Sequence, residues 1–179
     1  MTDEMYGIVS ELDEAHEEAV LRLWSEIERE FGVSISETHV PHFTYHCAKS
    51  YSASAHGVLA NVALTTAPVA TASFIIGAFN APPPLFFLPL VRTDELSALH
   101  RRLWAELEPI AVEPMDRYAA AQWFATVNLA PDLENDISSE LLPFLLQRDF
   151  QWQINVDNVC LLHDTGERQL IEARFALTG

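Results

Sequence analysis

The sequence predicts an α+β fold in which a strand-helix-strand-helix-strand unit occurs twice. Apolar residues recur first at strand spacing and then at helical spacing along the chain. The segment Asn80-Ala81-Pro82-Pro83-Pro84 interrupts this order near the middle, and the same order then begins again. The segments after residue 150 alternate apolar and polar residues, as antiparallel strands with one buried face do. We therefore expect two lobes, with antiparallel sheets flanking a central cleft.

The first unit is predicted to occupy roughly residues 1–80. Asp13 and Gly32 have the chemistry to begin and end its first helix, as an N-cap and a left-handed C-terminal residue. Val20, Leu23 and Trp24 belong to the buried stripe of this helix. The predicted elements in order are a strand over 5–12, this helix, a strand entered through Pro41, a helix over 53–65 and a strand over 69–79.

The second unit is predicted to occupy roughly residues 84–179, so that the whole chain forms one bilobal domain. Thr93 is placed to cap its first helix, whereas Pro143 compromises the second helix. The predicted elements are a strand over 85–91, a helix over 93–107, a strand over 122–130, a helical stretch over 137–147, a strand over 150–156, and a last strand over 170–177 that follows a turn at 164–166.

Composition excludes several classes of function. With 26 acidic and 10 basic residues, the formal net charge is −16, which disfavours binding of long nucleic acids. The apolar runs are broken well before a membrane-spanning length, and the acidic start of the chain is unlike a signal peptide. Cys47 and Cys160 are predicted to be free thiols of a cytoplasmic protein. We expect no cofactor and no metal, since His39 and His42 could share an ion only if their loop folded back.

The candidate site begins with His42 and Thr44. Residues two apart on a strand share a face and lie about 6.6 Å apart, so these side chains would point at one ligand. The imidazole can transfer a proton, and the hydroxyl can hold an anionic oxygen. The corresponding strand of the second unit contains Phe124, Thr126 and Asn128 on one face.

In these motifs and in its element order the chain resembles the 2H phosphoesterases, the superfamily of bacterial 2′,5′ RNA ligase-like proteins and cyclic phosphodiesterases. Members are two-lobed and have one His-x-Thr/Ser motif per lobe. Pro41-His42-Phe43-Thr44 matches the first motif. The second motif commonly has the form Trp-x-Pro-His-x-Thr-Leu-Ala, and Trp123, Leu129 and Ala130 agree with it.

The second motif is degenerate, because it lacks its histidine. In the preferred alignment Thr126 stands at the His position and Asn128 at the Thr position. The other alignment puts Phe124 at the His position and loses the agreement at Leu129 and Ala130. In the family, one histidine takes a proton from the attacking group and the other gives one to the leaving oxygen. A hydroxyl such as that of Thr126 does neither near neutral pH.

The resemblance implies action on 2′,3′-cyclic or 2′,5′-linked nucleotide phosphates, weakened or altered by the missing histidine. His42 and Thr44 would be catalytic, and Phe124, Thr126 and Asn128 would bind substrate. The alternative is an inactive protein that binds a small phosphorylated ligand or an RNA end. A third possibility is a purely structural role with a filled cleft. His163 could supply the missing acid, and the candidates for a cleft arginine are Arg92, Arg117, Arg148, Arg168 and Arg174.

Overall fold

The computed structural model describes residues 4–79, 84–131 and 137–179. In chain order, the elements are β1 (Met5–Glu11), α1 (Glu14–Phe31), β2 (His42–Tyr51), α2 (Ala55–Leu64), β3 (Val69–Ser73), β4 (Gly77–Phe79), β5 (Leu85–Pro89), α3 (Asp94–Leu107), β6 (Ala111–Pro114), β7 (Thr126–Ala130), α4 (Ser138–Leu145), β8 (Trp152–Val156), β9 (Asn158–Asp164) and β10 (Gln169–Ala176). Two short 3-10 turns, Glu108–Ile110 and Asp116–Tyr118, lie on either side of β6.

The helix ends follow their capping residues. Asp13 accepts a hydrogen bond from the amide of His16, and Gly32 ends α1 in the left-handed conformation at φ 69°. Thr93 accepts from the amide of Leu96 at the start of α3. These three predictions are confirmed. Pro143 lies inside α4, which has only 8 residues.

All described strand pairs are antiparallel, and the predicted α+β class is confirmed. The first sheet has five strands in the order β10-β9-β1-β2-β6, and the second has three in the order β4-β5-β7. β3 and β8 form a separate pair. The duplication is visible in this pairing, because β1 lies between β2 and β9 just as β5 lies between β7 and β4.

One predicted strand is divided between sheets. The predicted strand over 69–79 is β3 and β4, which lie in different sheets. The predicted strand over 150–156 is β8, and β9, which follows it, pairs with β1 in the first sheet. As a result, β4 of the first unit joins the sheet of β5 and β7, whereas β6, β9 and β10 of the second unit join the sheet of β1 and β2. The sheets therefore do not follow the predicted lobe limits of 1–80 and 84–179. One main cluster of buried apolar side chains spans both units.

β6 and the turn Asp116–Tyr118 were not predicted from the sequence. β6 pairs with the far end of β2, where Ser50 lies opposite Val112. Further along, the amide of Met115 donates to the carbonyl of Cys47 at 2.8 Å. The turn is therefore fixed against β2. None of the helices among the described residues combines the length and the apolar composition needed to cross a bilayer.

Candidate active site

A cavity of about 420 Å³ lies where β2 of the first sheet meets β4, β5 and β7 of the second sheet. The lining side chains are His42, Thr44, Phe79, Leu85, Arg117, Tyr118, Gln122, Phe124, Thr126 and Asn128. The structure thus brings together all five side chains that the sequence singled out. It adds three more from the chain segment 117–122.

His42 and Thr44 lie on one face of β2. They stand opposite Glu11 and Val9 of β1, and residues directly opposite in an antiparallel pair share a face. Tyr45 has no partner in this register, so it is the extra residue of a β-bulge. Beyond the bulge the faces are exchanged, and His46 lies opposite Ile8 on the core side. Simple strand alternation would put His46 on the face of His42, and the bulge prevents this.

The ring of His42 is fixed by its own backbone. Nδ1 lies 2.7 Å from the carbonyl oxygen of Val40. Because a carbonyl can only accept, Nδ1 carries the proton, and Nε2 of the neutral ring has a free lone pair. Burial lowers the pKa of His42, the neighbouring His39 acts in the same direction, and the Val40 carbonyl and Asp164 oppose it. His42 is thus suited to accept a proton at Nε2.

The second strand has the same local geometry as the first. In β7 the register passes from Asn128 opposite Phe87 to Ala130 opposite Phe86, so Leu129 is the unpaired residue. Leu129 therefore corresponds to Tyr45 of β2. Counting back from the two bulges puts Asn128 at the place of Thr44 and Thr126 at the place of His42. β7 begins only at Thr126, so Phe124 precedes the strand rather than forming part of it.

Arg117, Tyr118 and Gln122 reach the cavity from the turn and loop that precede β7. The guanidinium carbon of Arg117 lies 5.0 Å from the centre of the Tyr118 ring. Burial raises the pKa of Tyr118, while the charge of Arg117 and polar interactions with the side chains of Arg117 and Thr44 act to lower it. From the sequence, Arg117 is only one of five candidate arginines. No sequence pattern pointed to Tyr118 or Gln122.

The other candidate arginines lie away from the cavity lining. Arg92 donates to the carbonyl of Trp123, Arg148 pairs with Glu26, Arg174 pairs with Glu11 and Asp157, and Arg168 is exposed near the β9–β10 turn. Three of these four are therefore committed to contacts elsewhere.

His163 also lies elsewhere and does not supply the missing acid. Its ring stacks on Tyr6 with centroids 4.4 Å apart and is close to Glu4 and Glu172. Among the described residues, His42 is the only histidine that lines the cavity.

Trp123 joins the two halves of the site. Its buried indole Nε1 donates to the carbonyl of Thr44 at 2.8 Å, which fixes the backbone of the first motif. The ring lies between Tyr45 and His100, with centroid distances of 5.7 Å and 3.9 Å. His100 Nε2 in turn donates to the carbonyl of Tyr118 at 2.8 Å. The turn that holds Tyr118 and the strand that holds Thr44 are thus connected through one aromatic stack.

The lining has the character of an anion site. It offers hydroxyl, amide and guanidinium donors, and no Asp or Glu is found among its described residues, although the chain has 26 acidic residues and 10 basic ones. Phe79 and Phe124 lie at the cavity with 44% and 50% of their surface exposed. They contact Phe87 at centroid distances of 4.4 Å and 5.7 Å. The cavity therefore combines polar donors with a partly exposed aromatic wall.

Comparison with solved structures identifies the fold. E. coli LigT in complex with 3′-AMP is 14% identical to the chain and superposes with a TM-score of 0.61, with 98% of this chain and 99% of LigT covered. TT0787 of Thermus thermophilus is 15% identical with a TM-score of 0.59 and 98% coverage of both chains. The chain has the fold of the 2H phosphoesterases. A further structure, described as a phosphoesterase, superposes with a TM-score of 0.55 at 15% identity, with 98% and 99% coverage.

The likeness lies in the fold and not in the sequence. No protein-family model and no curated protein sequence matches the chain. The fold that the resemblance implied is nevertheless confirmed, since LigT and TT0787 superpose over nearly the whole chain. Within the described residues of this 2H fold, no group of three or more His, Cys, Asp or Glu side chains is placed to hold a metal ion.

Proposed function

We propose that the cavity binds a small nucleotide phosphate and that the protein hydrolyses 2′,3′-cyclic nucleotides with His42 as its single histidine base. The observation that carries this proposal is the cavity lining. It combines His42 with several hydrogen-bond donors and Arg117, and its described residues include no carboxylate. In an otherwise acidic chain, this is the surface on which an anion meets the least repulsion.

The size and chemistry of the cavity suit a mononucleotide. A volume of about 420 Å³ falls within the range of small-ligand sites. The hydroxyls of Thr44 and Thr126 and the amide of Asn128 can donate to phosphate oxygens, and Arg117 adds a charge-assisted contact. The exposed rings of Phe79 and Phe124 provide an apolar surface for a base. Structures of E. coli LigT with 3′-AMP and with phosphate support a ligand of this class.

The state of His42 supports hydrolysis. A neutral imidazole with Nδ1 bound to Val40 can take a proton from water at Nε2. The water oxygen then attacks phosphorus, and the bond from phosphorus to one ribose oxygen breaks. Because the pKa of His42 is lowered, this base is free of its proton at neutral pH and somewhat below.

A second function, binding without turnover, is favoured by the residue at the place of the second histidine. Thr126 cannot protonate a leaving oxygen, whereas its hydroxyl can still hold the phosphate. In that case the site retains recognition and has lost chemistry. The ligand would then be a nucleotide or an RNA end carrying a phosphate.

A direct experiment on the wild-type protein distinguishes hydrolysis from binding without turnover. Thermal unfolding is measured with 3′-AMP and with inorganic phosphate, and turnover is measured with the four 2′,3′-cyclic nucleotides. A rise in Tm with 3′-AMP together with turnover supports hydrolysis. A rise in Tm without turnover supports binding alone. No rise with either ligand and no turnover would contradict both functions.

Replacing Arg117 with Gln is expected to weaken binding of 3′-AMP by about 10- to 150-fold, because one charge-assisted contact to phosphate is worth roughly 1.5–3 kcal/mol. The dissociation constant is measured by calorimetry at two salt concentrations, and the variant should depend less on salt. Arg101→Gln is the matched control, since Arg101 is exposed on α3 and does not line the cavity. Equal affinities for the two variants would remove Arg117 from the site.

A further inference from the structure

The proposed hydrolysis leaves one proton unassigned. When the bond from phosphorus to a ribose oxygen breaks, that oxygen leaves as an alkoxide unless a nearby group protonates it. His42 has just taken a proton from water, and Thr126 stands where a second histidine would act. Among the described residues of the lining, protons that could reach a ligand are carried by Arg117, by Tyr118, and by the hydroxyl and amide groups of the Thr, Asn and Gln side chains. Of these groups, only the phenol of Tyr118 is an ordinary proton donor in enzymes.

Tyr118 is held firmly at the edge of the cavity next to the first motif. Its amide donates to Met115 O at 3.1 Å, and its carbonyl accepts from His100 at 2.8 Å. The side chain of Tyr118 lines the same cavity as those of Thr44 and His42. Thr44 lies two residues after His42 on the same face of β2, so the two residues are about 6.6 Å apart along the strand. The hydroxyl of Tyr118 and Nε2 of His42 can therefore contact a single phosphate group bound between them.

Resting on the proposed hydrolysis, we propose that Tyr118 replaces the second histidine as the proton donor to the leaving ribose oxygen. In this step His42 Nε2 takes a proton from water, and the hydroxide oxygen forms a bond to phosphorus. The bond from phosphorus to the ribose oxygen breaks, and that oxygen takes the phenolic proton. The phenolate regains a proton from solvent, and the imidazolium releases one, so the protein returns to its starting state.

Arg117 supports this role by its position. Its guanidinium carbon lies 5.0 Å from the ring centre of Tyr118, so a positive charge lies close to the phenol that becomes negative. The charge of Arg117 opposes the effect of burial on the pKa of Tyr118. The other ionisable group that acts on the phenol is Cys47 of β2, which raises the pKa. Arg117 would thus bind phosphate in the ground state and stabilise the phenolate during the reaction.

The test compares two substrates that differ in their need for a proton donor. One is a 2′,3′-cyclic nucleotide, whose leaving oxygen is a ribose hydroxyl. The other is a nitrophenyl ester of a nucleoside phosphate, whose leaving group is stable as an anion. For Tyr118→Phe, kcat on the cyclic substrate should fall by about 10²-fold or more, the usual contribution of a general acid. On the nitrophenyl ester, kcat should stay close to the wild-type value, since no proton is needed.

Controls separate proton donation from simple positioning. Tyr6→Phe makes the same chemical change outside the cavity, where Tyr6 stacks on His163, and should leave both rates unchanged. An equal loss on both substrates with Tyr118→Phe would assign it a positioning role and overturn the inference. Unchanged turnover of the cyclic substrate would overturn it as well, with the proposed function intact. If the wild-type protein turns over neither substrate, the proposed hydrolysis fails and the inference fails with it.

Discussion

Replacing His42 with Ala is expected to lower kcat for 2′,3′-cyclic nucleotides by about 10²–10⁴, or roughly 3–5 kcal/mol of activation free energy. The reason is that His42 is the only imidazole among the described residues of the lining, and its Nε2 has a free lone pair because Nδ1 is bound to Val40. Affinity for 3′-AMP should change little, because Thr44, Arg117 and Asn128 remain to hold the phosphate. Steady-state kinetics and calorimetry measure the two effects separately.

The pH profile of the wild-type protein provides a second readout of His42. A base must be deprotonated to act, so kcat/KM should rise with pH and then level off. Because the pKa of His42 is lowered from its ordinary value of about 6.5, the midpoint of this rise should lie below that value. His56→Ala is the matched control, at an exposed position on α2 outside the cavity. Activity that survives unchanged in His42→Ala would exclude His42 as the base.

Mild acid is expected to destabilise the protein through two buried histidines, His46 and His100. Both are fully buried, and burial lowers the pKa of each to about 4. The charges of Arg92 and Arg101 also lower the pKa of His100. His100 in turn lowers the pKa of His46. The unfolded chain therefore binds more protons than the folded one between about pH 6.5 and 4. Stability is lost as pH falls through this range, by up to about 3 kcal/mol for each histidine.

The measurement is the free energy of unfolding by urea at several pH values between 7 and 4.5. His100→Phe can keep the ring stack on Trp123 and removes one titrating group, while the lost hydrogen bond to Tyr118 costs about 1 kcal/mol at pH 7. The variant should therefore lose less stability on acidification than the wild type. Acidic residues titrate in both proteins, so the difference between the two slopes isolates His100. Identical slopes would mean that His100 does not titrate in this way.

Local features of the fold followed from the sequence because their causes are local. The hydrogen bonds at Asp13 and Thr93 and the left-handed Gly32 depend on neighbouring residues, so capping chemistry sufficed to place the ends of α1 and the start of α3. The alternation of strand side chains likewise put His42 and Thr44 on one face. The predicted limit of the strand over 69–79 failed, since the break after Ser73 arises because β3 pairs with β8 and β4 pairs with β5.

The part of the site that lies in the two strand motifs could be predicted from the sequence, and the part that lies in the turn and loop before β7 could not. The motif at His42 and its counterpart at Thr126 and Asn128 could be found from element order, and all of them line one cavity. Tyr118 and Gln122 carried no signal, because they reach the cavity from a turn that is fixed by contacts with Cys47 and His100. Strand alternation alone also puts His46 on the wrong face, because the bulge at Tyr45 depends on the partner strand and not on the sequence of β2 alone.

The sequence by itself determined the α+β class, the duplicated order, the helix ends and the pair His42 and Thr44. Each of these depends on interactions within a few residues or on a repeated pattern. Only the tertiary structure decided which strands share a sheet, where the two bulges lie, and that Arg117 and Tyr118 join the site. Those features depend on pairing between segments that lie far apart in the chain, such as β1 with β2 and β5 with β7. Local propensity contains no information about such pairings.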